Sequence, residues 1–271
     1  MSVVEVRDLK IGYRQSGKAN GNLPIVFLHG VGSDKSVWSE QIDYFSKSRR
    51  AAAFDYIGYG ESDLSPRDLT REEIASFVFD SMDALKIEKA HVCGLSLGGI
   101  IALEMFKQSP ERIKSLILAD SFAKHPKADE IIERTFSLVE KITIREFAEQ
   151  RVELLLMPDA PESIRNKVVE TFSKIHKQTF RWASRAVWTP DYRGILSSVN
   201  VATLVLVGEH DRITPIELSE ELAENIRGAK LEIIKNASHL SNLDQPQIFN
   251  DLIENFIENE YETDYKIADR N

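Results

Sequence analysis

The segment Gly94-Leu95-Ser96-Leu97-Gly98-Gly99 follows an apolar run, AHVCG, and opens a helical one, IIALEMFKQ. A serine on so tight a strand-to-helix turn is forced into a strained backbone conformation, and glycines two residues before and two after it remove the clashes. The turn lifts the hydroxyl above the sheet at the positive end of the next helix, with the N–H of Leu97 aimed where an oxyanion would develop. A serine hydroxyl is a poor nucleophile until a base takes its proton, so this chemistry needs a histidine. Of the six present, His29 ends a strand ahead of a glycine turn and His91 begins a buried strand, both ordinary places for a packed histidine. His125 and His176 lie in a long helical stretch, and His210 adjoins a candidate acid. His239, in NASHLSNLDQP beyond the last predicted strand, is the predicted general base. Asp211, in GEHDRITP, precedes it by roughly one helix and one strand and is predicted to fix its tautomer and stabilise its cation. Glu209 and Asp120 are the other acids within geometric reach. His29-Gly30-Val31-Gly32 is expected to supply the second oxyanion donor, the N–H of Val31.

These residues need a sheet whose strand ends lie side by side. Apolar runs and helical patterns alternate along the chain, which predicts a mostly parallel eight-stranded sheet with helices on both faces. The strands are read at Val3 to Val6 and Lys10 to Arg14, paired as an edge hairpin, then Pro24 to Gly30, Ala51 to Asp55, Ala90 to Gly94, Ser115 to Asp120, Ala202 to Gly208 and Lys230 to Lys235. Continuous apolar runs of this kind suit strands covered on both faces. Thr70 and Glu73 have capping-box spacing, and Thr214-Pro215 with Glu217 predicts a second such helix start. From Phe122 to Gly194 the rhythm breaks into helical patterns alone, too long for a loop. The expected organisation is a core of residues 1–121 and 195–260, a helical cap over 122–194 inserted after the sixth strand, and a frayed polar tail at 261–271.

Composition narrows the function classes. With 43 acidic against 34 basic residues, the net charge is −9, a surface that repels nucleic-acid phosphates and anionic lipid. The single cysteine, Cys93, excludes an internal disulfide framework and a cysteine-rich zinc site. MSVVEVRDLK carries charges where a signal peptide needs an apolar core, and no run of about 18 apolar residues suggests a membrane span. The reading is a cytoplasmic protein, monomer or homodimer, acting on a small molecule without nucleic acid, membrane, metal or cofactor.

In combination, HGVGSDKSVW, FDYIGYGESD, GLSLGG, GEHDRITP and NASHLSNLDQP resemble the motifs of the α/β-hydrolase family, in that order and over nearly the whole chain. Leu118-Ala119-Asp120-Ser121 and HLSNLDQP are similar to 3-oxoadipate enol-lactonases and related carboxylesterases. HGVGSDKSVW, FDYIGYGESDL and Trp188 to Val199 also resemble a signalling branch that keeps the triad but turns ligand over slowly. The resemblance implies a carboxylic-ester hydrolase, an esterase or lactonase working through an acyl-enzyme; a slow-turnover ligand sensor and a C–C bond hydrolase are the alternatives. Haloalkane dehalogenases and epoxide hydrolases of this fold need an aspartate where Ser96 stands.

Candidate pocket residues are His29, Gly30, Phe122, Trp182 and Trp188. An inward-facing arginine among Arg134, Arg145, Arg151, Arg165, Arg181, Arg185 and Arg193 would suit a substrate carboxylate. Asp55 follows a strand and is acidic, but Gly58 and Gly60 mark a turn near the core, so it is read as structural. Cys93 is read as packing, and Glu220, Glu221 and Glu224 as a solvated helix face.

Overall fold

The first two strands, β1 (Val3–Val6) and β2 (Leu9–Ser16), form an antiparallel hairpin. Its turn residues, Arg7 and Asp8, both hold positive φ (50° and 64°), the twist that joins antiparallel strands without splaying them. β2 runs past the expected Arg14 to Ser16 because its far end pairs with β4 (Ala51–Phe54), from Tyr13 opposite Phe54 to Ser16 opposite Ala51. In the computed structural model, which describes residues 2–268, with side chains described as far as residue 259, eight strands form one sheet. The remaining strands are β3 (Ile25–Leu28), β5 (Ala90–Leu95), β6 (Ile113–Ala119), β7 (Ala202–Gly208) and β8 (Lys230–Ile234). The order is β1-β2-β4-β3-β5-β6-β7-β8, and every pairing from β4 to β8 is parallel.

β3, β4 and β5 are buried at every residue, as strands covered on both faces must be. β8 departs from that pattern: Lys230, Glu232 and Ile233 are exposed, because it is the edge strand and its KLEII run mixes charges among the apolar residues. Helices α1 (Ser39–Phe45), α2 (Arg71–Ala84) and α3 (Leu97–Gln108) follow β3, β4 and β5 in turn. α2 opens with the predicted capping box: Thr70 Oγ1 accepts from the Glu73 N–H, and the Glu73 carboxylate accepts from the Thr70 N–H.

Between β6 and β7 the described chain forms helices: α4 (Ala128–Val139), α5 (Ile144–Leu155), α6 (Glu162–Ser173), α7 (Lys177–Trp188) and α8 (Arg193–Leu196). They carry their own apolar centre, where Phe147, Phe172 and Phe180 meet with ring centroids 5.3 to 5.8 Å apart. After β7 come α9 (Ile216–Asn225), β8, the short α10 (Ser241–Asp244) and α11 (Pro246–Ala268). The polar end expected to fray from residue 261 instead continues α11 to Ala268, since no glycine or proline interrupts it; residues 269–271 lie outside the described residues. Among the described residues no helix is long and apolar enough to cross a membrane.

Asp55, just past β4, acts as a buried strap. Its carboxylate accepts from the N–H groups of Lys35 (2.7 Å) and Glu61 (2.9 Å) and pairs with Lys35 Nζ at 2.6 Å. It ties the loop after β3 to the turn after β4, the structural role expected of it.

Candidate active site

β5 ends at Leu95 and α3 begins at Leu97, so Ser96 alone makes the turn, with φ 56° and ψ −115°. A β-carbon on Gly94 would stand 2.1 Å from the Gly98 carbonyl oxygen, and one on Gly98 would stand 2.1 Å from that of Leu28. Both glycines are therefore required for the start of α3 to close onto β5 and β3. Ser121 Oγ braces the turn by donating to the Ser96 carbonyl at 2.9 Å. The N–H groups of Val31 and Leu97 donate to no partner among the described residues.

Asp211 and His239 come from loops after β7 and β8, at the same carboxyl edge of the sheet as Ser96. His239 Nδ1 lies 2.8 Å from Asp211 Oδ2. With Nδ1 as the donor to the carboxylate, Nε2 is left as the basic nitrogen. Asp211 also accepts from the N–H groups of Ile213 (2.8 Å) and Thr214 (2.9 Å) and from Thr214 Oγ1 (2.6 Å). Burial alone would raise the Asp211 carboxyl. The charge and hydrogen bond of His239, with the hydrogen bonds of Thr214, outweigh it and hold Asp211 below the ordinary carboxylate range.

The alternative acids are engaged elsewhere. Glu209 pairs with Lys235 at 2.7 Å. Asp120, at the end of β6, accepts from the Gly208 N–H at 2.8 Å and pairs with Ser241 Oγ at 2.5 Å. Burial, and then repulsion from Asp211, push the Asp120 carboxyl well above its usual range. Of two neighbouring carboxyl groups, Asp211 is thus the ionised one.

Thr214 corrects one expectation. It does not cap α9, whose N-cap is Pro215 with no side-chain hydrogen bond. Its hydroxyl turns instead to Asp211 and lies 3.3 Å from His239 Nδ1. The Asp-x-x-Thr spacing was the available signal, since an aspartate commonly accepts from N–H groups two and three residues on.

The described fold and the ordered motifs agree with one family. Residues 25–252 match the alpha/beta hydrolase family. The chain belongs to that family. Among its relatives, a 3-oxoadipate enol-lactonase of Acinetobacter baylyi is 31% identical over 93% of this chain and 98% of its own. An uncharacterized carboxylesterase of Bacillus subtilis is 29% identical over 86% of this chain and 78% of its own. Among solved structures, the enol-lactonase from Burkholderia xenovorans superposes with a TM-score of 0.86 at 26% identity, covering 95% of this chain and all of that one.

In this hydrolase, Ser96, His239 and Val31 line one small cavity of about 40 Å³, together with Arg151, Trp188 and Ile213. The last three also line a larger outer chamber of about 370 Å³. Of the candidate pocket residues, Trp188 lines this cavity and the others do not. His29 is held on both sides: Nδ1 hydrogen-bonds the Gly30 carbonyl at 2.9 Å and Nε2 accepts from the Tyr56 N–H at 3.2 Å. Gly30 backs onto Ser96, where a β-carbon would come within 3.2 Å of the serine's own. Phe122 is stacked behind Trp188, 5.6 Å away and 11° from parallel. Trp182 turns its ring edge to Tyr59 at 6.2 Å.

Proposed function

We propose that this hydrolase cleaves a small carboxylic ester or lactone through an acyl-enzyme on Ser96. What carries the reading is the Asp211–His239 hydrogen bond of 2.8 Å at the rim of the cavity that the strained Ser96 enters. Ser96 Oγ attacks the carbonyl carbon while His239 Nε2 takes the hydroxyl proton. The carbonyl oxygen, now an oxyanion, accepts from the N–H groups of Val31 and Leu97. Collapse breaks the ester C–O bond, and His239 returns the proton to the leaving alkoxide, which stays tethered when the substrate is a lactone. Water then attacks the acyl group with His239 as base, releasing the acid and restoring Ser96. Asp211 stays ionised throughout, orienting the imidazole and stabilising its cation. The helical insertion, residues 122–194, acts as a cap that closes the cavity over the sheet edge and shapes the acyl pocket. The protein works as a monomer or homodimer on this small molecule.

Steady-state hydrolysis of short and medium p-nitrophenyl esters and of lactones, wild type against Ser96→Ala, tests the proposal. Sustained turnover is expected, with at least about a thousandfold loss of kcat in the variant. A single burst followed by almost no turnover would favour a ligand sensor instead. An inert wild type would overturn ester cleavage and direct attention to C–C bond substrates.

A further inference from the structure

β8 ends at Ile234 and α10 starts at Ser241, so His239 stands on a loop with no ladder or helix of its own to hold it. Its chain neighbours hold it instead. The Ala237 carbonyl accepts from the His210 N–H at 2.8 Å, and Gln245 Nε2 donates to the Asn236 carbonyl at 3.0 Å. Closer to the ring, the ties lead to the helical insertion. Leu240 N–H donates to Leu155 O (2.8 Å) and Ser238 Oγ to Leu154 O (3.1 Å), carbonyls that the last turn of α5 cannot use within the helix. Ser238 N–H donates to Asp244 Oδ2 at 2.8 Å. The same carboxylate accepts, at Oδ1, from the N–H of Met157 just past α5, at 3.1 Å. The residues on both sides of His239 are therefore bound to the end of one helix of the insertion.

Asp244 takes no part in the acyl-transfer steps, yet it bridges the loop of the base and the insertion with a half-buried carboxyl group. Burial raises that carboxyl, and the N–H groups of Ser238 and Met157 oppose the rise by favouring the charged form. A carboxylate binds N–H groups about twice as strongly as a neutral acceptor does, which makes it a stiffer bridge than the carbonyls beside it. The end of α5 lies in the middle of the insertion, far along the chain from its neck, where the Tyr192 N–H donates to the Ala123 carbonyl at 3.0 Å. Beyond packing, what sets it against the sheet edge is this group of ties, with Arg212 Nη2 on Glu153 O at 2.9 Å. α5 also gives Phe147, Arg151 and Leu155 to the wall of the inner cavity. A molecule seated there presses on the same helix that holds the loop of the base.

We propose that Asp244 is a positioning residue: its carboxylate couples the loop of His239 to the end of α5, so that the place of the imidazole in the cavity follows the place of that helix. Asp244 reaches the base only through the backbone of Ser238, and it does not line the cavity of Ser96. The effect on rate rests on the ester-cleavage reading; the position of His239 does not, and the test separates the two.

Proton magnetic resonance reads that position without a substrate, through the downfield signal of the Nδ1–H between His239 and Asp211. Asp244→Asn keeps the size of the side chain and one acceptor oxygen and removes the other. It should shift or broaden the signal and lower kcat about tenfold per titrated active site, with KM for a short ester within about twofold. Ser238→Ala cuts the hydroxyl tie to Leu154 O and leaves Asp244 in place. It should move the signal in the same way with a smaller loss of kcat, and it decides the matter alone if Asp244→Asn does not fold. A signal and a kcat unchanged in both variants, whatever their melting temperatures, would reduce Asp244 to a structural tie and overturn the role. A signal moved by Asp244→Asn but not by Ser238→Ala would overturn the coupling to α5. A signal that moves in both while wild type cleaves no ester supports the positioning of His239, and the hydrolysis reading alone then falls.

Discussion

Four hydrogen bonds converge on the buried carboxylate of Asp211, and one of them, from Thr214 Oγ1, touches neither Ser96 nor a substrate. In the proposed mechanism Thr214 is a positioning residue: it holds Asp211, which holds His239. Replacing it by the isosteric valine removes a charge-assisted hydrogen bond. The expected result is about a tenfold fall in kcat, or about 1.4 kcal/mol, with KM within about twofold. Thr214→Ser should recover most of the rate. Equal changes in kcat and KM, or no rescue by serine, would contradict the role. The Ser96 turn and the Asp211–His239 pair could be sought in the sequence because the proposed chemistry restricts residue types and the turn restricts its glycines. Thr214 was missed, since Thr-Pro-x-Glu is also how a helix begins and competes with the Asp-x-x-Thr spacing, and the fold decides between the two.

At the scale of elements, two carboxyl groups meet where β6 and β7 end. Asp120 closes β6 and fastens to β7 through the Gly208 N–H, and Asp211 follows β7 by three residues. Burial, and then repulsion from Asp211, raise the Asp120 carboxyl well above its usual range. A carboxyl raised on folding contributes stability that is fully present below its unfolded value, about 4, and is lost as pH rises through its folded value. Asp120→Asn keeps an oxygen for Gly208 and removes the titration. Thermal melts from pH 4 upward should therefore show wild type losing stability relative to Asp120→Asn as pH rises toward neutrality. Parallel curves would contradict the account. The strands were legible as unbroken apolar runs, and the cap as their absence. The end of α5 was not legible, because its carbonyls are taken up by residues 212, 238 and 240, a contact that no local spacing encodes.

Across the whole molecule, the parallel order of the sheet brings loops far apart in sequence to one edge, and the helical insertion covers that edge. The inner cavity, about 40 Å³, has room for little more than the reacting group, so the rest of a substrate must lie toward the 370 Å³ outer chamber past Arg151 and Trp188. Which aromatic residues face that path depends on how the insertion packs. Trp188 and Trp182 lie on one helix with similar burial, yet one meets the cavity and the other meets Tyr59. Composition foresaw an acidic surface but not that Lys127, Arg134, Arg151 and Arg212 outnumber Glu130 and Glu217 at the outer chamber, because net charge carries no position.

In the proposed mechanism Ser96 forms a covalent acyl-enzyme. A p-nitrophenyl alkylphosphonate tests it most directly, since its adduct mimics the tetrahedral intermediate and water does not readily release it. The expected result is one equivalent of p-nitrophenol released, loss of esterase activity, and a single phosphonyl group on the peptide containing Ser96, with none in Ser96→Ala. An adduct on another residue, or an unmodified Ser96 in an inactivated protein, would contradict it.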